Sequence, residues 1–248
     1  MESPGTVEKA VDVLFHLHAE GAPRGVTDIG RALGLPKSST HRLLSALGRR
    51  GLVERDGRGR YRPGIGLVAL GLGALESEPV VAAARTVVEE AAQALGETCF
   101  LVAARAGRLV VLDKAEGTGF LRAAPQVGSS VPVHATAAGK LFLAFGDAAI
   151  SAPVEPYERF AENTRTLPKE LAFEVERARE RGFAENCEEW IPGLSVLAAP
   201  VRVGERLIAV VAVAVPAQRY ATLGVAEVAR HTLAAAERIA ARIAGTGR

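Results

Sequence analysis

The sequence predicts a mixed α/β (α+β) fold in two parts: a helical, basic start closed by a small hairpin, then an antiparallel sheet flanked by helices. Three observations predict it. Apolar residues recur at helical spacing up to Gly51, a glycine-rich aliphatic stretch follows at "GIGLVALGLGAL", and from Pro79 the pattern alternates between helical runs and apolar strand-like runs bounded by turns. The boundaries expected on this basis are 1–63, 64–78 and 79–248.

With 248 residues, 48% hydrophobic and 23% charged, the chain can bury a sizeable core. The formal net charge is only +2, but it is unevenly spread: residues 1–62 hold 11 Lys and Arg against 7 Asp and Glu, and residues 36–62 hold 8 against 2. A local basic footprint of this kind points to a polyanionic partner. The two cysteines, Cys99 and Cys187, are too few for a disulfide framework and lack the close spacing of a zinc site. No export signal and no apolar run of about 20 residues is found, so a cytoplasmic protein with no membrane partner is expected.

The elements follow in order. Thr6 can cap a helix in "TVEKAVDVLFHLHAE", where Val7, Ala10, Val11, Leu14 and Leu17 share a face before Gly21 and Pro23 end it. Thr27 can cap a second, short helix, "TDIGRALG". Gly34 stands where a left-handed C′ residue is expected, and Pro36 suits the first turn of a third helix in "LPKSSTHRLLSALGRRG". In that helix Thr40, Leu43, Leu44 and Leu47 form one apolar stripe. Ser38, His41, Arg42, Ser45 and Arg49 collect on the other side.

Two helices joined by a tight turn make a helix-turn-helix, whose second member enters the major groove of DNA. "LVERDGRGRYRP" then reads as a hairpin turning at Asp56-Gly57-Arg58-Gly59, with Arg58 and Arg60 near its tip, the wing of a winged helix. A solvated helix face and an ordinary hairpin are the bland alternatives for either element alone; together they favour DNA binding. Lys37, Ser38, Ser39, His41, Arg42, Ser45, Arg58 and Arg60 are the expected DNA contacts, and two copies reading an inverted repeat would supply specificity.

In the second part, a helix through "VVAAARTVVEEAAQAL" precedes two strands turning at Ala106-Gly107-Arg108, and a helix is expected from about Ala135 and another at "PKELAFEVERARERG". Three strand candidates follow, "FAENCEEW", "LSVLAAPVRV" and "RLIAVVAVAVP", the last two joined near Gly204, and an amphipathic helix closes the chain. An enzyme using Cys187 or Cys99 with His134 as base is the minor alternative, because each thiol needs an activating environment. Glu188 and Glu189 would point to opposite faces of a strand and form no carboxylate dyad. No catalytic residue, metal site or cofactor is expected. A sensor acting through a protein partner, with a degenerate DNA domain, is a further alternative.

The blocks "TVEKAVDVL", "LGLPKSSTHRLLSALGRRGLVERDGRGRYRPG", "ETCFLVA", "VVLDKAEG", "VGSSVPVHATAAGK" and "RGFAENCEEWIPGLSVLAAPV" resemble the IclR-type transcriptional regulators, in order and from Thr6 to about Ile243. The resemblance implies a winged helix, a linker helix and a GAF-like effector domain. It also implies dimers that often pair into tetramers, and DNA affinity altered by a small metabolite, frequently an organic acid. Carried over by motif, the effector pocket is Val131, Ala137, Ala138, Asn186, Leu194, Val196, Ala212 and Ala214. The sequence departs from the family's usual pattern at Asn186-Cys187-Glu188-Glu189, where Asp-Asp-Glu-Glu is common, and at Val196, Ala212 and Ala214. The expected pocket is therefore poorer in acidic groups and acceptors.

Overall fold

The computed structural model describes residues 5–119, 125–146, 150 and 153–245. The chain divides into two units, Met1–Ser77 and Glu78–Arg248, each with its own apolar core.

The first unit runs α1 (Thr6–Glu20), α2 (Val26–Ala32), α3 (Lys37–Arg49), β1 (Val53–Arg55), β2 (Tyr61–Pro63) and α4 (Ile65–Glu76). Its core joins Val13 and Leu17 of α1, Ile29 of α2, the apolar stripe of α3 and the hairpin residues Val53 and Tyr61. Two helix starts differ from expectation. The N-caps are Gly5 and Gly25, so Thr6 and Thr27 lie inside the helices. At α1 the carboxylate of Glu8 reaches back to accept from Gly5 N–H at 2.6 Å, so an acidic residue in the first turn does what a capping hydroxyl would have done. Pro36 is the residue before α3 and not its first. The hairpin gains a short third rung that the sequence pattern did not suggest: Arg24 and Tyr61 exchange backbone hydrogen bonds of 2.9 and 2.7 Å. The linker stretch is helical, and Ile65, Val68, Leu70 and Leu72 on α4 are exposed.

The second unit runs α5 (Pro79–Leu95), β3 (Thr98–Arg105), β4 (Arg108–Ala115), β5 (Ser130–Val131), α6 (Ala137–Phe145), α7 (Pro168–Arg181), β6 (Ala184–Cys187), β7 (Leu194–Val203), β8 (Arg206–Pro216), α8 (Ala217–Leu223) and α9 (Val225–Gly245). Among the described residues, six strands form one sheet in the order β5-β4-β3-β8-β7-β6, every neighbouring pair antiparallel. The β3–β4 turn is Ala106-Gly107 with both φ positive, the two-residue geometry that follows the twist of the strands. Strands buried on both faces explain the near-continuous apolar runs. One face carries Phe100, Val102, Val196, Ala198, Val210 and Ala212 under α6 and α7, and the other, one residue out of phase, packs α5 and α9. No single described helix is long and apolar enough to cross a membrane.

One close approach sets where α6 begins. A Cβ on Gly139 would lie 1.8 Å from the carbonyl oxygen of Val133, so only glycine lets the first turn of α6 fold back over the strand exit. Thr136 caps the helix, its Oγ1 accepting from Gly139 N–H at 3.1 Å while donating to Pro132 O at 2.7 Å. Gly139→Ala is expected to destabilise the second unit by about 3 kcal/mol or more, since the obstacle is backbone that cannot rotate away. Urea unfolding followed by the fluorescence of the single tryptophan, Trp190, checks this.

Candidate functional sites

The first site is the outer surface of α3 and the hairpin. The inner stripe, Thr40, Leu43, Leu44 and Leu47, is buried, which turns Lys37, Ser38, His41 and Arg42 to solvent and leaves Ser39 and Ser45 partly exposed. His41 Nδ1 lies 3.5 Å from Ser45 Oγ, so these two polar groups share one ridge. The crossing of α2 and α3 is tight at Gly30, where a Cβ would come within 2.9 Å of Leu35 O and 3.0 Å of Thr40 Oγ1. A larger residue there would push α3 outward and tilt its exposed face.

The hairpin tip is organised by Asp56. Its Oδ1 accepts from the backbone N–H of Arg58 at 2.9 Å and of Arg60 at 2.8 Å, and its Oδ2 faces Arg60 Nε at 3.3 Å. Arg62 pairs with Glu54, and Arg55 Nε donates to Gly59 O, which leaves the Arg58 guanidinium as the tip cation with no side-chain partner among the described residues. Arg58 and Arg60 thus differ: one is free to meet a phosphate, the other already has a carboxylate.

The second site is a cavity of about 20 Å³ against the sheet of the second unit, room for about one water molecule. Val131, Ala137, Ala138, Asn186, Leu194, Val196 and Ala212 all line it, seven of the residues anticipated from the motifs. Ala214 lies in the same core but not in the cavity wall. Phe100, Pro125, Thr136, Trp190 and Ile191 complete the wall and were not anticipated. The wall is almost wholly apolar. Its polar resources are the start of α6, whose first N–H groups have no intrahelical partner, and the Asn186 amide. That amide is already engaged: Nδ2 donates to Ala135 O at 2.8 Å and Oδ1 accepts from Glu189 N–H at 2.8 Å. Asn186 therefore fixes the wall more than it offers a hydrogen bond to a guest.

Beside the cavity lies a charged group that sequence reasoning missed. Lys140 on α6 has no exposed surface; its Nζ donates to Glu189 Oε1 at 2.6 Å and Glu185 O at 2.8 Å, with Glu174 Oε2 at 3.6 Å. A lysine inside the apolar segment "AAGKLFLAF" was the available signal, because such a residue must find an internal counter-charge. Glu188 and Glu189 do not lie on a strand as supposed but follow β6, with Glu188 at φ +57°. Glu188 accepts from Gly193 N–H at 2.8 Å while Glu189 is buried, so they still form no dyad.

The thiols lack an activating environment. Burial pushes Cys99 up to about 12, and Cys187 is raised by burial first and then by the charges of Glu185 and Glu189, so both favour the protonated form near neutral pH. His134 bonds through Nε2 to Glu158 O at 2.8 Å and stacks against Phe160 with Tyr157 alongside, the role of a packed core histidine.

At Asp56, hydrogen bonds from the Arg60 and Arg58 backbones hold the carboxyl below its ordinary 3.8. A lowered folded-state value means that the tie is fully present above 3.8 and is lost as pH falls through the lower, folded value. Protection of the Arg58 and Arg60 amides, measured as exchange relative to the intrinsic rate at the same pH, is thus expected to be lost only below that folded value in the wild type, and to be low already at neutral pH in Asp56→Ala.

Residues 6–57 match the model of the IclR helix-turn-helix domain, and residues 72–241 match that of the bacterial transcriptional regulator IclR C-terminal domain. The chain is 31% identical over 200 residues to the HTH-type transcriptional regulator XynR of Escherichia coli K12, covering 79% of each. A solved regulator from Alicyclobacillus acidocaldarius is 25% identical with a TM-score of 0.81, over 98% of this chain and 100% of that one. An IclR homologue from Microbacterium hydrocarbonoxydans, solved in complex with 4-hydroxybenzoate, shares the fold at 22% identity and a TM-score of 0.83, over 97% and 100%.

Proposed function

The chain belongs to the IclR family, whose members are transcriptional regulators and not enzymes, and on that premise we propose that it binds an operator as a two-fold dimer and responds to a small carboxylate or related carbonyl compound. The observation that carries the DNA reading is the outward row of Lys37, Ser38, His41 and Arg42 beside a wing whose tip cation, Arg58, is unpaired among the described residues. In this reading α3 reads base edges, with Ser39 and Ser45 at the margins, while Arg58 grips phosphate and Arg60 holds the wing in shape.

The two-fold reading rests on apolar surface. Val7, Val11 and Phe15 of α1 and Ile65, Val68, Leu70 and Leu72 of α4 are exposed in a single chain, a concentration that a protein keeps from water by pairing with its own copy. The effector reading rests on the cavity wall: apolar side chains for the body of a guest, and the first N–H groups of α6 for its carboxylate. A relative that carries 4-hydroxybenzoate supports the same chemical class. The coupling between sites is the ligand's difference in affinity for the two dimer geometries, typically about 1–3 kcal/mol.

Three outcomes are expected. Arg42→Ala should cost about 1–3 kcal/mol on the operator and relax specificity, whereas Arg58→Ala should weaken operator and random DNA alike and flatten the salt dependence; mobility shifts across a salt series separate the two. Phe15→Glu with Val68→Glu should sediment as a monomer and lose tight operator binding, and a wild-type monomer that binds tightly contradicts the dimer. Val196→Trp should abolish carboxylate binding in calorimetry while sparing DNA binding without effector, and unchanged affinity would place the ligand elsewhere.

A further inference from the structure

We propose that the segment Glu188–Gly193 is a lid over the cavity, that Trp190 on it sets which guests are admitted, and that the buried Lys140–Glu189 pair is the latch that holds it shut. The role of Trp190 rests on the cavity being the effector site; the latch stands on its own geometry.

At about 20 Å³ the cavity holds no organic acid as it stands. Phe100, Val131, Leu194, Val196 and Ala212 are fixed by the ladders of the sheet, and Ala137 and Ala138 by α6. Trp190 and Ile191 are the largest wall side chains outside the sheet, and they ride on the connection between β6 and β7. Pro125, on the connection between β4 and β5, is a smaller part of the wall, so moving the β6–β7 connection frees the most room for a guest. Its far end is held by Ala217 N–H donating to Gly193 O at 2.9 Å, and its remaining ties to neighbouring elements meet at one residue: Glu189 N–H donates to Asn186 Oδ1 at 2.8 Å, Glu189 O accepts from Thr164 Oγ1 at 2.7 Å, and Glu189 Oε1 accepts from Lys140 at 2.6 Å.

The closed form carries unmet demands. Glu189 Oε2 is buried with no hydrogen-bond partner among the described residues, and Glu188 holds a left-handed φ of +57° despite its Cβ. Opening would return that carboxylate to water. Lys140 would not be stranded, because Glu185 O at 2.8 Å and Glu174 at 3.6 Å remain in place on β6 and α7. A latch whose partners can part without leaving an orphan charge lowers the cost of opening, so that a ligand preferring the open form can select it from a mostly closed population. The small floor of Ala137, Ala138 and Ala212 under an indole selects a monocarboxylate with a flat apolar body over short hydrophilic acids.

Trp190 is the only tryptophan, so its fluorescence reports the lid directly. Lys140→Met leaves the Glu189 carboxylate buried and uncompensated, which drives it outward with Trp190 beside it. Acrylamide quenching is expected to rise several-fold, with a red-shifted emission and unchanged circular dichroism. Lys140→Met with Glu189→Leu removes both charges, and quenching is expected to return to the wild-type level, because the stranded carboxylate and not the loss of the lysine itself drives the segment outward. A folded Lys140→Met protein with wild-type quenching, or a double variant as exposed as the single one, overturns the latch. Should Lys140→Met not fold, Glu189→Gln keeps the shape and loses the charge; a rise in its quenching supports the latch and no rise overturns it.

Calorimetry with benzoate and acetate supplies the second arm. Benzoate binding more tightly than acetate to the wild type, with that preference lost in Trp190→Ala, supports the gate; an unchanged preference overturns it. Open latch variants that bind neither acid overturn the effector reading and leave the latch standing, whereas benzoate binding with unchanged Lys140→Met quenching does the reverse.

Discussion

A lysine ammonium with no exposed surface has to find its charge partner and acceptors inside the protein, and in this chain that demand organises one side of the second unit. Lys140 draws together α6, the helix α7 through Glu174, the strand β6 through the Glu185 carbonyl and the following segment through Glu189. Replacing one partner of such a group is costlier than never having had it, so the residues around it are constrained jointly. Asn186 and Thr164 extend the same network to the Ala135 carbonyl and the Glu189 carbonyl. The cavity sits where it does because its walls are the apolar flanks of these tied elements.

The close approach at Gly139 is the steric half of the same arrangement. It brings the first turn of α6 against the Val133 carbonyl, which aims Lys140 inward and sets Ala137 and Ala138 in the cavity wall. Small side chains here serve helix packing and leave the backbone within reach of a guest at once.

In the first unit the charges are sorted by pairing and not by number. Of the arginine side chains around the hairpin, those of Arg55, Arg60 and Arg62 meet intrachain partners and that of Arg58 meets none among the described residues. Exposed pairs of this kind contribute little to stability, so their value lies in holding a shape and in leaving one cation unspent. The local excess of positive charge overstated how many of those side chains are free for a phosphate.

Most of the architecture was legible because it follows from short-range pattern: the apolar stripe of α3, the left-handed turn at Gly34, the hairpins and the antiparallel strands are all set by neighbours a few residues apart. The start of α1 slipped by one residue because Glu8 in the first turn replaces a capping hydroxyl, that of α2 slipped by two, and α8 and β5 were too short to give a period. The family motifs pointed to seven wall residues of the cavity, but Phe100, Trp190 and Ile191 became wall only through strand order and the path of a loop. The partners of Lys140 lie 34 to 49 residues away, and which carboxylate meets a buried ammonium depends on where the sheet places them, something no local spacing encodes. Composition and periodicity thus determined the elements and their polarity. Tertiary packing alone decided which charges were paired, which were left free, and which side chains closed the cavity, because those outcomes depend on distances between segments that the chain brings together only when folded.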